Sequence, residues 1–358
     1  MYRELKTSLR QIISTSTITA VFLLIIFISN NLYAGYATIF IYHKFGEDRY
    51  PTTSVSIEDF IKQMEYLKKN GYSVIPLSKL VDYLQRREEI PEKTVVITID
   101  DGYRSTMKAY RILKRYSFPF TVFLYAEGVG RYPDYLTKEQ LSQLKKDPLV
   151  EFGNHSYSHR HFAKILSDMD TEKYKKLLVE DTLKAEKRLK KLLGYVPKFY
   201  AFPYGEYTKP FIQALKEMGY IALFTQDPQN VDENTPLWLI HRQPVVGSWA
   251  KMKHFKEVLN TEVLPVIKHS PDIGYLKSNP PEIFAQVKNI ESYKNCGVYV
   301  SELGWIKAQR KGNRLYVKIT KPLKKWKNRI AFTCWNKKTK KKATYFWSVY
   351  TRKNGKDN

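Results

Sequence analysis

The sequence predicts an α/β fold: a barrel of parallel strands wrapped by helices over residues 35–274, followed by a small all-β, sandwich-like domain over residues 275–358. Three observations predict it. Strand-like and helix-like segments alternate from residue 37 to about residue 250. Carboxylates and imidazoles cluster where the strand-like segments stop. Beyond residue 275 helical periodicity gives way to short β-favouring runs separated by Lys, Asn and Gly turns.

ATIFIYH reads as a buried strand. In SIEDFIKQMEYLKKNG, Ile57, Phe60, Ile61, Met64 and Leu67 recur at helical spacing, Ser56 caps the start with Asp59 three residues on, and Gly71 closes the helix. YSVIPL, TVVITID, FTVFLYA and LVEFGN follow as strands with helix-like segments between them. A long basic amphipathic helix ends at Gly194, and KFYAFPYG, PFIQALKEMG, YIALFTQ and WLIHRQPVV complete the alternation as strand, helix, strand and strand. Repeated β-then-α units build either a barrel or a doubly wound sheet, and the barrel is the preferred reading. In both, function gathers at the C-terminal ends of the strands. The later runs NPPEIFAQVKNI, CGVYVSELGW, RLYVKIT, RIAFTCWN and ATYFWSVYT form the second domain, with Pro280 and Pro281 near the boundary.

The hydrophobic fraction of 43% and the aromatic fraction of 14% exclude a disordered chain. Net charge is +25, and residues 291–358 hold 19 Lys+Arg against 3 Asp+Glu, an excess of 16. Such a surface attracts polyanions, here an anionic polymer or a membrane surface. At the N-terminus, Arg3, Lys6 and Arg10 precede the apolar run ITAVFLLIIFI, and small residues follow at Ala34 and Ala37. That order is a secretory signal. The run is short for a span of about 20 residues, so residues 1–34 are expected to be a cleaved signal peptide, with a signal anchor as the alternative. The expected location is extracytoplasmic, periplasmic or secreted, or tethered to the cytoplasmic membrane, and no nucleic-acid partner is expected there. The two cysteines, Cys296 and Cys334, show no CxxC spacing, which excludes a cysteine metal site and leaves a disulfide between them open.

The chemistry sits at the strand ends. TVVITID delivers Asp100 and Asp101 side by side. NHSYSHRHF carries His155, His159 and His161, AFPYGEY carries Pro203, Tyr204 and Gly205, and His43 and His241 each follow a strand pattern. Two imidazoles and one carboxylate hold a divalent metal while leaving positions for water and substrate. His155 and His159, four apart, share a face if the segment is a helical turn, and Asp101 supplies the third ligand. Asp100 then stays ionised as the base that takes a proton from the attacking water. Trp238 and Trp249 read as core residues, with a sugar cleft as the other reading.

At these residues the chain resembles the polysaccharide deacetylases of the NodB-homology type, carbohydrate esterase family 4. TIDDG resembles the family's T-F-D-D-G block with Ile99 for Phe, and HSYSH matches H-[ST]-x-x-H. The resemblance covers about residues 37–250. It implies a deformed (β/α) barrel that removes N-acetyl groups from an N-acetylglucosamine polysaccharide, with Asp101, His155 and His159 on the metal and Asp100 as base. The metal expected is a divalent cation, zinc first, with cobalt, nickel and iron as alternatives. The family's R-x-P-Y block appears as Ala201-Phe202-Pro203-Tyr204-Gly205, without its arginine, so Arg242 becomes the candidate to orient Asp100. The Tyr204 N–H remains available for the oxyanion. A strand-end His43 ahead of the first block, together with A-F-P-Y-G, resembles the circularly permuted subgroup acting on poly-β-1,6-N-acetylglucosamine in biofilm export. This makes His43 the general acid and His241 its rival, or else a supporting or substrate-binding residue. Peptidoglycan or chitin-like oligomers are alternative substrates, and a non-catalytic glycan-binding protein on the same fold is the alternative class. All of these residues precede residue 275, so a chain ending there is expected to fold and act alone.

Overall fold

The computed structural model describes residues 35–352; the signal or anchor expected at 1–34 lies outside the described residues. Ten short strands accompany the first part of the chain: β1 (Ala37–Tyr42), β2 (Lys44–Phe45), β3 (Ser54–Val55), β4 (Ser73–Val74), β5 (Thr94–Ile99), β6 (Phe120–Leu124), β7 (Val150–Asn154), β8 (Phe199–Ala201), β9 (Ala222–Phe224) and β10 (Gln243–Pro244). Seven of them form one parallel path in the order β10-β1-β5-β6-β7-β8-β9, with β4 beside β5.

One segment closes the circle. Ile240 bridges Phe224 of β9, and Gln243 and Pro244 pair with Phe40 and Ile41 of β1. The barrel is deformed because its last strands are only two or three residues long. The expected strand WLIHRQPVV is reduced to β10, since Pro236 and Pro244 limit the ladder it can make. YSVIPL is likewise cut to β4, because Pro76 opens the helix Leu77–Arg86.

Central strands β1 and β5 are buried along their whole length, as parallel strands covered on both faces require. Alternate residues serve two cores. Ile39, Val96, Phe123 and Phe224 fill the barrel interior, whereas Phe40, Tyr42, Val95 and Ile97 pack under the outer helices. The helices follow their sequence signals. Ser56 accepts the Asp59 N–H at 3.1 Å and caps Ile57–Lys69, and Asp170 caps Thr171–Leu193, which ends at a left-handed Gly194.

The β-rich module is a two-sheet sandwich. One sheet is built on Tyr293–Val300, Lys327–Asn336 and Lys342–Tyr350, the other on Ile283–Val287 and Arg314–Val317. Val298, Ile330, Phe332 and Trp347 meet Ile283, Ala285 and Leu315 between them. A disulfide joins Cys296 to Cys334 across neighbouring strands. The module starts ahead of residue 275. Thr261–Val263 and Gly274–Tyr275 pair with Lys342–Tyr350, and Val266–Ser270 pairs with Ile283–Val287. TEVLPVIKHS lacks a clean two-residue alternation, so its strands were not visible in the sequence. Among the described residues no helix is long and apolar enough to cross a membrane.

Candidate metal centre and active site

Parallel pairing brings the C-terminal ends of the strands to one face. Tyr42 aligns with Ile99, Leu124 with Asn154 and Asn154 with Tyr200, so His43, Asp100, Asp101, His155 and the Pro203–Gly205 turn all emerge together.

The adjacent aspartates part company through the backbone. Val96, Thr98 and Asp100 alternate on the inward face of β5, so Asp100 points into the barrel. Asp101 then takes a left-handed φ of 69° and turns its carboxylate to the barrel mouth. There its Oδ1 lies 3.1 Å from His159 Nε2 and 3.4 Å from His155 Nε2, and the two Nε2 atoms are 3.2 Å apart. Three donors bound at about 2.1 Å in tetrahedral geometry would be about 3.4 Å from one another. The triad therefore fits a divalent cation, and it is the group of this kind found among the described residues. His155 Nδ1 meets the Ala201 carbonyl at 2.8 Å. The Nδ1–H tautomer this selects leaves Nε2 as the free donor.

The H-x-x-x-H segment is not a helical turn. His155 directly follows β7, Ser156 and His159 both adopt positive φ (67° and 49°), and this tight loop folds His159 back beside His155. Three supports hold it. Asn154 Oδ1 accepts the Ser156 N–H, Ser156 Oγ accepts the His159 N–H, and the buried Asp181 carboxylate accepts the N–H groups of Tyr157 and Ser158 at 3.0 and 3.1 Å. Asp181 sits mid-helix in Thr171–Leu193, and only its place on the buried face of a basic helix could have signalled it.

Asp100 is fully buried and held by Arg242 through two hydrogen bonds, Nη1–Oδ1 at 2.7 Å and Nη2–Oδ2 at 2.9 Å. Arg242 also donates to the Thr98 hydroxyl and the Thr225 carbonyl, and its guanidinium lies over Phe123. Burial pushes the Asp100 carboxyl up, but the Arg242 charge and His155 outweigh it and hold it below the usual carboxylate value. Burial likewise raises Asp101, and hydrogen bonding from His155 and His159 overrides it, drawing Asp101 well down.

His43 follows β1, directly beside the β5 end, and Asp100, Asp101, His155 and Arg242 all act on its charge. Among the described residues its buried Nδ1 has no hydrogen-bond partner. Burial lowers its pKa while the two aspartates pull the other way. His241 faces elsewhere. As Arg242's neighbour in extended chain it points to the opposite side, its charged neighbours are Asp227 and His269, and Thr225 Oγ1 lies 3.5 Å from its Nδ1. Burial lowers it to about 4.

Pro203, Tyr204 and Gly205 form a single 3₁₀ turn in which Tyr204 has φ 57° and Gly205 φ 59°. A Cβ at Gly205 would meet Gln226 N at 2.8 Å, so only glycine fits. The Tyr204 N–H lies in the first turn, where backbone donors have no intrahelical partner. The Tyr204 ring stacks on His161 with centroids 3.6 Å apart and meets His159 edge-on at 4.6 Å. His161 Nδ1 pairs with the buried Glu206 at 2.9 Å. Tyr125 and Tyr135 continue an aromatic rim from His159.

The β-rich module holds this turn from behind. Lys327 Nζ donates to the carbonyls of Tyr204 and Gly205 at 3.1 and 3.2 Å. Tyr350 Oη accepts the Tyr207 N–H, Tyr207 Oη and Ser348 Oγ both donate to Asp227, and Gln229 accepts the Phe346 N–H. These contacts oppose the expectation that a chain ending at 275 acts alone. Lys327 had no sequence signal, being one lysine among many in a basic tail.

Residues 87–223 match the polysaccharide deacetylase family. Over 214 residues the chain is 26% identical to the poly-beta-1,6-N-acetyl-D-glucosamine N-deacetylase of Staphylococcus aureus (strain MRSA252), covering 58% of this chain and 73% of that protein. Among solved structures it resembles IcaB from Ammonifex degensii at 26% identity and TM-score 0.51, covering 60% of this chain and 94% of that one. The Streptococcus pyogenes deacetylase PplD in complex with acetate superposes with TM-score 0.55 at 18% identity, covering 63% of this chain and 99% of that one, a likeness of fold. Sequence match, barrel topology and the Asp-His-His cluster agree: residues 87–223 match the polysaccharide deacetylase family, and the barrel that contains them is a polysaccharide deacetylase domain of the NodB-homology type.

Proposed function

We propose that this protein is a metal-dependent hydrolase that removes N-acetyl groups from poly-β-1,6-N-acetylglucosamine, working outside the cytoplasmic membrane. The observation that carries the reading is the Asp101, His155 and His159 triad set beside an Arg242-clamped Asp100. The named activity of the Staphylococcus aureus relative supports the substrate. The signal-like order of residues 1–34 supports the location.

A divalent cation held by the triad, zinc by the chemistry of its donors, would supply Lewis acidity toward the acetamide carbonyl and lower the pKa of a water. The remaining work falls to the chain. Asp100, kept ionised by Arg242, takes the proton of the attacking water as its oxygen bonds to the acetamide carbon. The Tyr204 N–H donates to the oxygen that gains charge. His43, on the neighbouring strand end, delivers a proton to the amine nitrogen as the C–N bond breaks, leaving acetate and glucosamine. Lys327 keeps the Tyr204 turn in place.

Acetate release from β-1,6- and β-1,4-linked N-acetylglucosamine oligomers, with and without chelator, tests this. The β-1,6 series should react and chelation should stop it. Release from β-1,4 oligomers alone would replace the substrate, and release insensitive to chelator would remove the metal from the mechanism.

A further inference from the structure

A groove of about 480 Å³ lies where the β-rich sandwich meets the helix Met252–Leu259, away from the metal triad. Two indoles flank it: Trp305, 64% exposed, on the sandwich side, and Trp249, 38% exposed, on the barrel side. Large exposed indoles keep apolar surface in water unless something covers them. Each has a second ring beside it, Trp305 with Tyr299 at 5.4 Å and Trp249 with His254 at 5.2 Å, in tilted contact. Among the described residues, Arg329 Nε and His254 Nε2 are buried without a hydrogen-bond partner, and both residues line the groove.

The strand that forms one wall of the groove also reaches the catalytic turn. Lys327, Arg329, Ala331 and Thr333 share one face of the strand Lys327–Asn336, because side chains alternate along it and the even-numbered residues Ile330, Phe332 and Cys334 fill the sandwich core. Lys327 reaches the Tyr204 turn, and the next three residues on that face line the groove. From Lys327 to Thr333 the strand spans about 20 Å, the scale of a chain several sugar units long.

We infer that this groove is a second glycan site, holding a stretch of acetylated N-acetylglucosamine chain apart from the metal triad. Indole faces match the apolar faces of pyranose rings, and Arg329 and His254 are polar side chains of the groove wall suited to hydroxyl and acetamide groups. The ligand class rests on the deacetylase reading. Charge adds a selection. A deacetylated chain carries ammonium groups, and at the groove it would meet Arg329 and the Lys342–Glu257 ion pair on a protein with net charge +25. The groove therefore retains the neutral chain and releases the cationic one.

The test is calorimetric titration of the full chain, stripped of metal by chelation so that nothing turns over, with a β-1,6-linked N-acetylglucosamine hexamer and its fully deacetylated counterpart. The acetylated hexamer should bind the parent and bind Trp305→Ala and Trp249→Ala about five- to tenfold more weakly, the worth of one aromatic contact. Trp305→Phe should recover most of the loss. The deacetylated hexamer should bind at least tenfold more weakly than the acetylated one at low salt. Equal affinity of both alanine variants and the parent overturns the site, as does a preference for the deacetylated chain. Acetate release by the metal-loaded parent is read in parallel. No acetate from the hexamer, with binding still lost in the tryptophan variants, defeats the deacetylase reading and leaves the glycan site standing. Acetate released with tryptophan-independent binding does the reverse.

Discussion

Arg242 grips both carboxylate oxygens of Asp100 inside the barrel, from a segment 142 residues later in the chain. The same segment closes the barrel between β9 and β1, so the closing strand also delivers the partner of the proposed base. Removing it should leave a buried carboxylate unpaired. Arg242→Met is expected to lose about 3–5 kcal/mol of stability, and Asp100→Asn in the same chain should recover part of that. Arg242 holds the Asp100 pKa down, so its loss raises that pKa and the acid limb of the kcat/KM profile should move to higher pH. An acid limb unmoved in Arg242→Lys and Arg242→Met would separate the pair from catalysis.

The metal triad allows a cleaner division. Asp101→Ala, His155→Ala and His159→Ala should each lose bound metal and activity together, because three protein ligands leave no spare. Asp100→Asn should keep its metal and lose turnover. Metal content after dialysis, read by mass spectrometry beside acetate release, decides it. Asp100→Asn emptied of metal as fully as Asp101→Ala would mean that both aspartates are ligands.

His43 carries the prediction most dependent on the barrel's closure. Its ring reaches the electrostatic neighbourhood of Asp100, Asp101 and His155, whereas His241 answers to Asp227 and His269. His43→Ala should keep metal and fold yet lose roughly 10²–10⁴ in rate, the usual worth of acid–base assistance. The basic limb of its pH–rate profile should vanish with it. A near-parental rate in His43→Ala would return the acid to another group.

Much of this was legible in the sequence, for a physical reason. Buried parallel strands need apolar runs, so an interruption such as Asp100-Asp101 or His155 stands out against its background. The loop geometry was not legible. The positive φ at Asp101, Ser156, His159 and Tyr204 belongs to residue types that mask it, where a glycine would have announced it. For this reason the H-x-x-x-H pair meets through a tight loop and not through a helical turn. Asp181 and Lys327 stayed hidden because one acid on a long helix and one lysine in a basic tail carry no local pattern. The module boundary was missed because Thr261–Val263 and Val266–Ser270 are partly exposed edge segments, not alternating strands.

Lys327 turns the module into part of the active-site scaffold. Its ammonium satisfies two carbonyls of the strained Tyr204 turn, and burial lowers its pKa to about 8. Lys327→Met should keep the packing of the stem and lose those bonds, lowering kcat about tenfold with KM little changed. Lys327→Arg should restore most of it. A chain ending at residue 275 exposes Tyr207 and the Asp227 network as well, and should be insoluble or inactive. A soluble, fully active truncation would show that the barrel holds its own turn.

His241 makes a prediction about stability instead of rate. Burial lowers its folded pKa to about 4, against about 6.5 in the unfolded chain. Between those values the unfolded state binds the extra proton, so stability must fall as pH falls. The contribution is fully present above pH 6.5, is lost progressively toward pH 4, and amounts to about 3 kcal/mol. The cost is that of charging an imidazole among Thr225 and the barrel wall with no carboxylate in hydrogen-bonding contact. His241→Gln keeps a polar side chain of similar reach but does not titrate. Denaturant unfolding of parent and variant at pH 7 and pH 4.5 isolates this one group, because every other titrating residue is common to both. The parent should lose more stability than the variant across that interval. Equal losses would mean that His241 protonates in the folded barrel as readily as in the unfolded chain, and that its site is wet.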